Sequence, residues 1–301
     1  MKKAGILQLT FVLGLMYLLP NLVNAQQLDK SYQNVEFLEI STKTGDITVE
    51  RSNSNEVMVK GEWDEDLIKV KVNYDGKTLI IKEKAVRKNG NVNGNASTWS
   101  LLVPDGIELK TNSGTGSLFL AAVEADLDAN SGTGNITIED MEGRFDVNSG
   151  TGNIEVSQSK GRFDLNSGTG YVKVENTEGK FDANSGTGNV KFEMVNPTGN
   201  SSLNSGTGNV KFIVANKISA DLSLNSGTGN AILDFHGNTI EGDFEMSCGM
   251  PSGRIAAPFK FDLERKIGGK HGGSLEKTAR IGKANYDVEI STGTGLAEVK
   301  S

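Results

Sequence analysis

The sequence predicts an all-β protein, a parallel β-solenoid of two-strand coils with about 18 residues to a coil. Three observations predict it. The pentapeptide Asn-Ser-Gly-Thr-Gly begins at Asn112, Asn130, Asn148, Asn166, Asn184, Asn204 and Asn225, with spacings of 18, 18, 18, 18, 20 and 21. Within each unit apolar residues alternate with polar ones, the period of a strand with one buried face. No helical period appears in the repeat region.

One unit shows how the elements follow. In Arg144-Phe145-Asp146-Val147-Asn148-Ser149, Phe145 and Val147 point to one side. Gly150-Thr151-Gly152 makes a bend, and Ile154 and Val156 alternate again in a second strand. Gln158-Ser159-Lys160-Gly161 supplies the second bend, and glycine at the bends gives access to conformations that a Cβ disfavours. Four inward side chains contribute roughly 1.5–3 kcal/mol each. Ordering the backbone costs about 1–2 kcal/mol for every residue, so a lone coil cannot stand. Coils stacked about 4.8 Å apart share hydrogen bonds and inward rows, and the array is stable where the unit is not. Hairpins in a meander would not align like with like at one word per two strands.

Less perfect copies extend the array. Leu38 to Val49, Phe244 to Gly249 and Val288 to Gly295 fit the template position by position. Between Val57 and Val103 the pattern is looser, with strands at Val57–Val59, Ile68–Val72 and Leu79–Ile81 and a polar loop at Asn89–Asn95. The expected organisation is one solenoid domain over residues 35–300. Irregular coils occupy 35–110, regular repeats 111–257, and a Gly-rich excursion with a closing coil 258–301. Right-handed winding is expected by analogy with parallel crossovers.

Residues 1–25 read as a secretory signal peptide: Lys2 and Lys3, an apolar run from Ile6 to Leu19, and Val23-Asn24-Ala25 before the cut. The run is short for a membrane span, which needs about 20 apolar residues. No Cys lies near the cut, so a lipid anchor there is excluded. Removing two of the 31 basic residues leaves 29 against 38 acidic ones, a net charge of −9. Such a balance disfavours nucleic acid as a partner. The expected address is extracytoplasmic: periplasm, outer surface or secreted. A single cysteine, Cys248, makes no internal disulfide.

The Trp99-Ser100-Leu101-Leu102-Val103-Pro104 segment, Leu109, the Ser-Gly-Thr-Gly words and the final Ser291-Thr292-Gly293-Thr294-Gly295 together resemble the bacterial adhesin-type β-strand-repeat family, the toastrack domain. The resemblance covers most of residues 35–300. It implies a single-stranded β-helix in the envelope or outside the cell, with links to adhesion or envelope stress. It carries over no catalytic residues.

Stacking turns each repeat position into a row. Asp128, Asp146, Asp164 and Asp182 form an outward acidic row. Arg144, Arg162 and Lys180 form a basic row beside it, expected to compensate it across the strands. A calcium reading of the acidic row fails on ligand number, since calcium takes six to eight oxygens. Lys173, Lys191 and Lys211 make an outward row on the other sheet, open to a polyanion such as an acidic glycan or simply solvated. The repeated Asn residues are expected to bond along the axis. The serines, by parity with Phe145 and Val147, are expected to face inward, against an ice-binding hydroxyl ladder. Cys248 occupies the Ser slot and is expected to be buried, and His271 to be a solvated loop residue.

No cofactor, metal or catalytic constellation emerges. The leading expectation is a non-enzymatic adhesin or binding scaffold whose partner is a cell-surface, glycan or envelope component. An envelope-stress sensor and a polysaccharide-acting β-helix enzyme are the alternatives.

Overall fold

Each repeat unit contributes one long strand and one short strand, and like strands pair in parallel. In the computed structural model, which describes residues 25–86, 95–269, 272–283 and 285–301, the long strands Glu124–Thr133, Glu142–Thr151, Lys160–Thr169 and Glu178–Thr187 stack into one sheet. The short strands Ile136–Glu139, Ile154–Ser157, Val172–Glu175 and Val190–Pro197 stack into a second. Asn130, Asn148, Asn166, Asn184, Asn204 and Asn225 fall in one row, so the words lie atop one another. The fold is the β-solenoid that the repeat predicts. Most of the expected signal segment, residues 89–94 of the polar loop, and His271 lie outside the described residues.

The core runs between the sheets as rows of alternate residues: Phe145, Val147, Ile154 and Val156 are each at most 2% exposed. Phe145, Phe163 and Phe181 stack with centroids 4.7 and 5.2 Å apart, and Phe192 meets Phe181 edge-on from the opposite sheet at 5.0 Å. Phe163→Ala is expected to lower stability by about 3–5 kcal/mol, because rings above and below cannot both collapse into the hole. Urea denaturation checks it, with Phe163→Leu expected to lose clearly less.

Both ends depart from simple winding. The coil of Phe37–Thr42 and Gly45–Arg51 lies between the coil of Ile107–Thr115 and Leu118–Ala121 and an outer layer of Thr78–Ala85 and Ser97–Val103. At the far end the last coil, Asp287–Thr294 with Leu296–Lys300, lies between Leu222–Thr228/Ala231–Asp234 and Gly242–Met250/Arg254–Ala256. The final coil is therefore second from the end and does not close the stack. Antiparallel strands cover it beyond: Gly272–Ile281 on Gly242–Met250, then Leu263–Gly269. At the opposite end Glu56–Asp64 lies antiparallel on Ser97–Val103, and Ala25–Gln33 on Glu56–Asp64. The described strands thus begin before residue 35, with Ala25–Gln33.

A buried anchor holds the outer N-terminal layer. Trp99, fully buried, donates its Nε1–H to Glu83 Oε1 at 2.7 Å, and Lys43 N–H donates to Glu83 Oε2 at 2.8 Å. The carboxylate so ties the outer layer to the next coil. Gly61 leaves room for the indole: a Cβ there would lie 2.3 Å from its Cζ3.

Candidate functional site: the outer face of the long-strand sheet

The acidic row is in register as expected, Asp128 on Asp146 on Asp164 on Asp182. What holds it was not foreseen. Each aspartate takes a hydrogen bond from the Asn two residues on: Asn148 Nδ2 to Asp146 at 2.8 Å, Asn166 to Asp164 at 2.7 Å, Asn184 to Asp182 at 2.9 Å. The asparagines also bond along the axis, Asn184 to Asn166 at 3.0 Å, Asn204 to Asn184 at 2.9 Å and Asn225 to Asn204 at 3.0 Å. The carboxylates thus orient an amide ladder. Among the described residues no three His, Cys, Asp or Glu side chains converge as metal ligands.

Compensation between rows takes a different form from the one expected. The ion pairs run between successive coils within one row. Arg144 grips Asp126 through Nε at 3.1 Å and through a second, shorter contact from Nη2, and this hydrogen bonding holds Asp126 below the usual carboxylate range. Lys110 pairs with Asp128, which raises the lysine. Arg162 and Lys180, register neighbours of Arg144 and of each other, make no ion pair among the described residues.

On the short-strand sheet Lys173, Lys191 and Lys211 are in register and half-buried. Lys173 bonds Glu175 at 2.8 Å and Lys191 bonds Glu193 at 2.8 Å, each within its own strand. Hydrogen bonding from Lys191 holds Glu193 low. Two of the three lysines are therefore neutralised locally, and this row is the weaker candidate for a polyanion.

The serines face inward. Ser149 Oγ donates to Gly134 O at 3.0 Å, and Ser131, Ser167, Ser185, Ser205 and Ser226 repeat the bond on their own neighbouring coils. No exposed hydroxyl ladder results from them. Cys248 takes this slot in the outermost coil at 1% exposure, and burial pushes its thiol up. Cys248 is accordingly expected to resist a maleimide in the native protein at neutral pH and to react fully in denaturant. Rapid native labelling would contradict its placement.

A second amide ladder follows the word and was missed. Asn135 Oδ1 accepts from Asn153 N at 2.9 Å, Asn189 from Asn209 N at 2.8 Å, and Asn230 from Leu296 N at 2.8 Å. The signal was present, since Asn follows most copies of the word.

The outer face of the long-strand sheet carries three shallow grooves. One of about 660 Å³ lies around Lys110, Asp126 and Arg144, one of about 450 Å³ around Arg162, Lys180, Ser202 and Asp221, and one of about 600 Å³ around Asp243 and Arg280. The middle one arises where the repeat lengthens. The spacing of 20 is absorbed after Pro197, which still pairs with Gly179, and before Ser202, which pairs with Asp182, so the two extra residues lie in the bend between them. The next long strand then starts only at Ser201 and runs to Thr207. Ser201, buried, stands beside Phe181 and accepts a hydrogen bond from its N–H at 3.1 Å, so a small residue follows three stacked rings.

No curated protein matches the chain. Solved structures that resemble it include a "putative cell adhesion protein" from Clostridium sporogenes, 12% identical over 92% of this chain and 99% of that one, TM-score 0.25. A "putative lipid binding protein" from Parabacteroides distasonis is 13% identical over 92% and 98%, TM-score 0.43. A "putative adhesin" from Bacteroides fragilis is 13% identical over 91% and 97%, TM-score 0.44. With TM-scores all below 0.5, none of these bears on function. The family model for Toastrack DUF4097 matches residues 35–248, which spans the N-terminal layers, all seven words and the coil that carries Cys248, and the chain belongs to that family.

Proposed function

We propose that the protein is an exported, non-catalytic binding scaffold of the cell envelope or the exterior, an adhesin-type module that presents its long-strand face to a partner. The observation that carries this reading is the arrangement of that face. Three grooves open on one side of a continuous stack, and their polar lining is spread along the axis instead of converging on one reactive centre. A scaffold of this kind holds side chains at fixed intervals of about 4.8 Å, which suits an extended or repetitive ligand. Export is supported by the residues before Gln26, a short basic start and an apolar run. No helix among the described residues is long and apolar enough to cross a membrane.

The test is a fractionation and binding experiment on residues 26–301. The expected results are recovery of a processed chain outside the cytoplasm and saturable binding to whole cells or envelope fragments. Cytoplasmic retention of an unprocessed chain, or turnover of a polysaccharide abolished by one point substitution, would overturn the reading.

A further inference from the structure

We propose that two copies of the chain pair through Leu263–Gly269, the outermost strand of the long-strand sheet, antiparallel about a two-fold axis at Arg265. Three observations carry this pairing, which is independent of what the grooved face binds.

The first is an open edge. Leu263–Gly269 pairs with Gly272–Ile281 on one side, and no described strand pairs with it on the other. Such an edge presents a row of amides and carbonyls to any strand that can join it. The core behind it is closed, because Phe259 and Phe261 pack against it, Phe259 with its ring 4.8 Å from that of Phe244. Association here adds strand to strand and leaves each core as it is.

The second is apolar exposure on that strand. Leu263 and Ile267 are 46% and 47% exposed, more than any other large apolar side chain among the described residues. Four residues apart on a strand, they share one face. The other free edges are guarded. Ile68–Tyr74, at the far end of the same sheet, exposes Lys69, Lys71 and Asn73 and carries no acid. Ala25–Gln33 half-buries Leu28 and Tyr32, and Arg254–Ala256 is three residues long.

The third is the order of residues along the strand. A two-fold axis normal to a sheet keeps each residue on its own face, so the central residue meets itself and its neighbours meet in mirror order. Centred on Arg265, Leu263 meets Ile267 and Glu264 meets Lys266, each twice. Shifted to Glu264, leucine meets arginine and glutamate meets itself. Shifted to Lys266, arginine meets isoleucine and lysine meets itself. Only the first register matches apolar with apolar and acid with base. Lys266 has no ion pair among the described residues. Glu264 gives Oε2 to Lys277 at 3.0 Å, which leaves Oε1 for Lys266 of the second copy. Arg265 against itself is the one unfavourable pair. Glu276, its register partner on the adjacent strand, supplies a negative charge beside each guanidinium. The product is one long-strand sheet across both copies, with both grooved faces on the same side.

The experiment is sedimentation velocity on residues 26–301 over a concentration series. A seven-residue edge is a small interface, so a dimer is expected at about 10–100 µM, with nothing larger. Ile267→Gln, at an exposed position, is expected to weaken it about three- to thirtyfold. Glu264→Lys and Lys266→Glu are each expected to stay monomeric alone. Their equimolar mixture is expected to dimerise, because mixing restores opposite charges at both pairs. Arg265→Cys is expected to crosslink between copies on mild oxidation, since facing Cα atoms lie about 4.5–5.5 Å apart, within reach of a disulfide. Leu263→Cys, about 14 Å along the strand from its own copy, is expected not to. The unchanged chain, whose Cys248 is buried, is the control, and circular dichroism confirms that each variant is folded. A monomer at every concentration, polymers beyond the dimer, or a mixture no better than its components would overturn the proposal. So would crosslinking of Leu263→Cys as fast as Arg265→Cys, or a monomer that binds phosphatidylglycerol vesicles through Leu263 and Ile267.

Discussion

A chain ended at residue 286 is expected to lose the order of residues 242–256 as well as the missing coil. In a solenoid wound in sequence order, removing the last turn exposes the turn before it and leaves that turn paired. Here Asp287–Thr294 is the layer between Leu222–Thr228 and Gly242–Met250, and Leu296–Lys300 separates Ala231–Asp234 from Arg254–Ala256. Deleting it leaves the two flanking coils about two strand spacings apart, too far for hydrogen bonds. Val288, Ile290 and Val299, at most 3% exposed, also leave the core, at roughly 1.5–3 kcal/mol each. Hydrogen exchange is the measurement. Amides of 242–256 that bond to the missing coil and not to Gly272–Ile281 should exchange freely in the truncated chain, while those of 142–187 stay protected. Retained protection of 242–256 would show that the coils close the gap, and the interleaved order would then contribute little to stability.

The same interleaving marks where the sequence stopped being legible. The words report which residues share a row, because stacking like on like is what a period means. They cannot report the order in which coils stack at the ends, since Leu38–Val49, Val288–Gly295 and Phe244–Gly249 all fit one template equally well. That order is set by connections of irregular length and by antiparallel strands such as Gly272–Ile281, whose pattern is too weak to place. The candidate face was half legible. Its rows follow from register, so Asp128, Asp146, Asp164 and Asp182 were found. The state of the rows depends on rotamers: which cation turns to which acid is a choice that spacing does not encode. Arg144 and Arg162 occupy the same repeat position, yet one is paired and the other is not. The groove had a visible signal in the spacings of 20 and 21. The second bends also differ from expectation. The residues with left-handed backbone there are Ala122, Asp140, Gln158, Asn176 and Met194, with φ between 49° and 59°; Gly143, Gly161 and Gly179 come three residues later in three of these bends, and Ala125 and Pro197 take that place in the other two.

Gly188→Ala is expected to be among the most damaging single methyls that can be added to a regular coil, at more than about 4 kcal/mol. Two effects coincide there. Its φ of +147° lies where a Cβ is disfavoured, which alone costs about 1–3 kcal/mol. A Cβ would also sit 2.2 Å from Gly170 O and 2.6 Å from its carbonyl carbon, both backbone atoms of the adjacent coil. No side chain can rotate away, so relief requires the coils to separate and to lengthen the hydrogen bonds at the corner. Two comparisons divide the effects. Gly76→Ala carries the conformational part alone, since Gly76 has φ +99° and nothing within 4 Å of the added atom, and about 1–2 kcal/mol is expected. Gly186→Ala carries mainly the contact, at 2.6 Å from Gly168 O without left-handed backbone, and should fall between the others. Urea midpoints at constant slope give the ranking. If Gly188→Ala proves no worse than Gly76→Ala, close approach between coils is not what fixes glycine in the word, and turn conformation alone accounts for it.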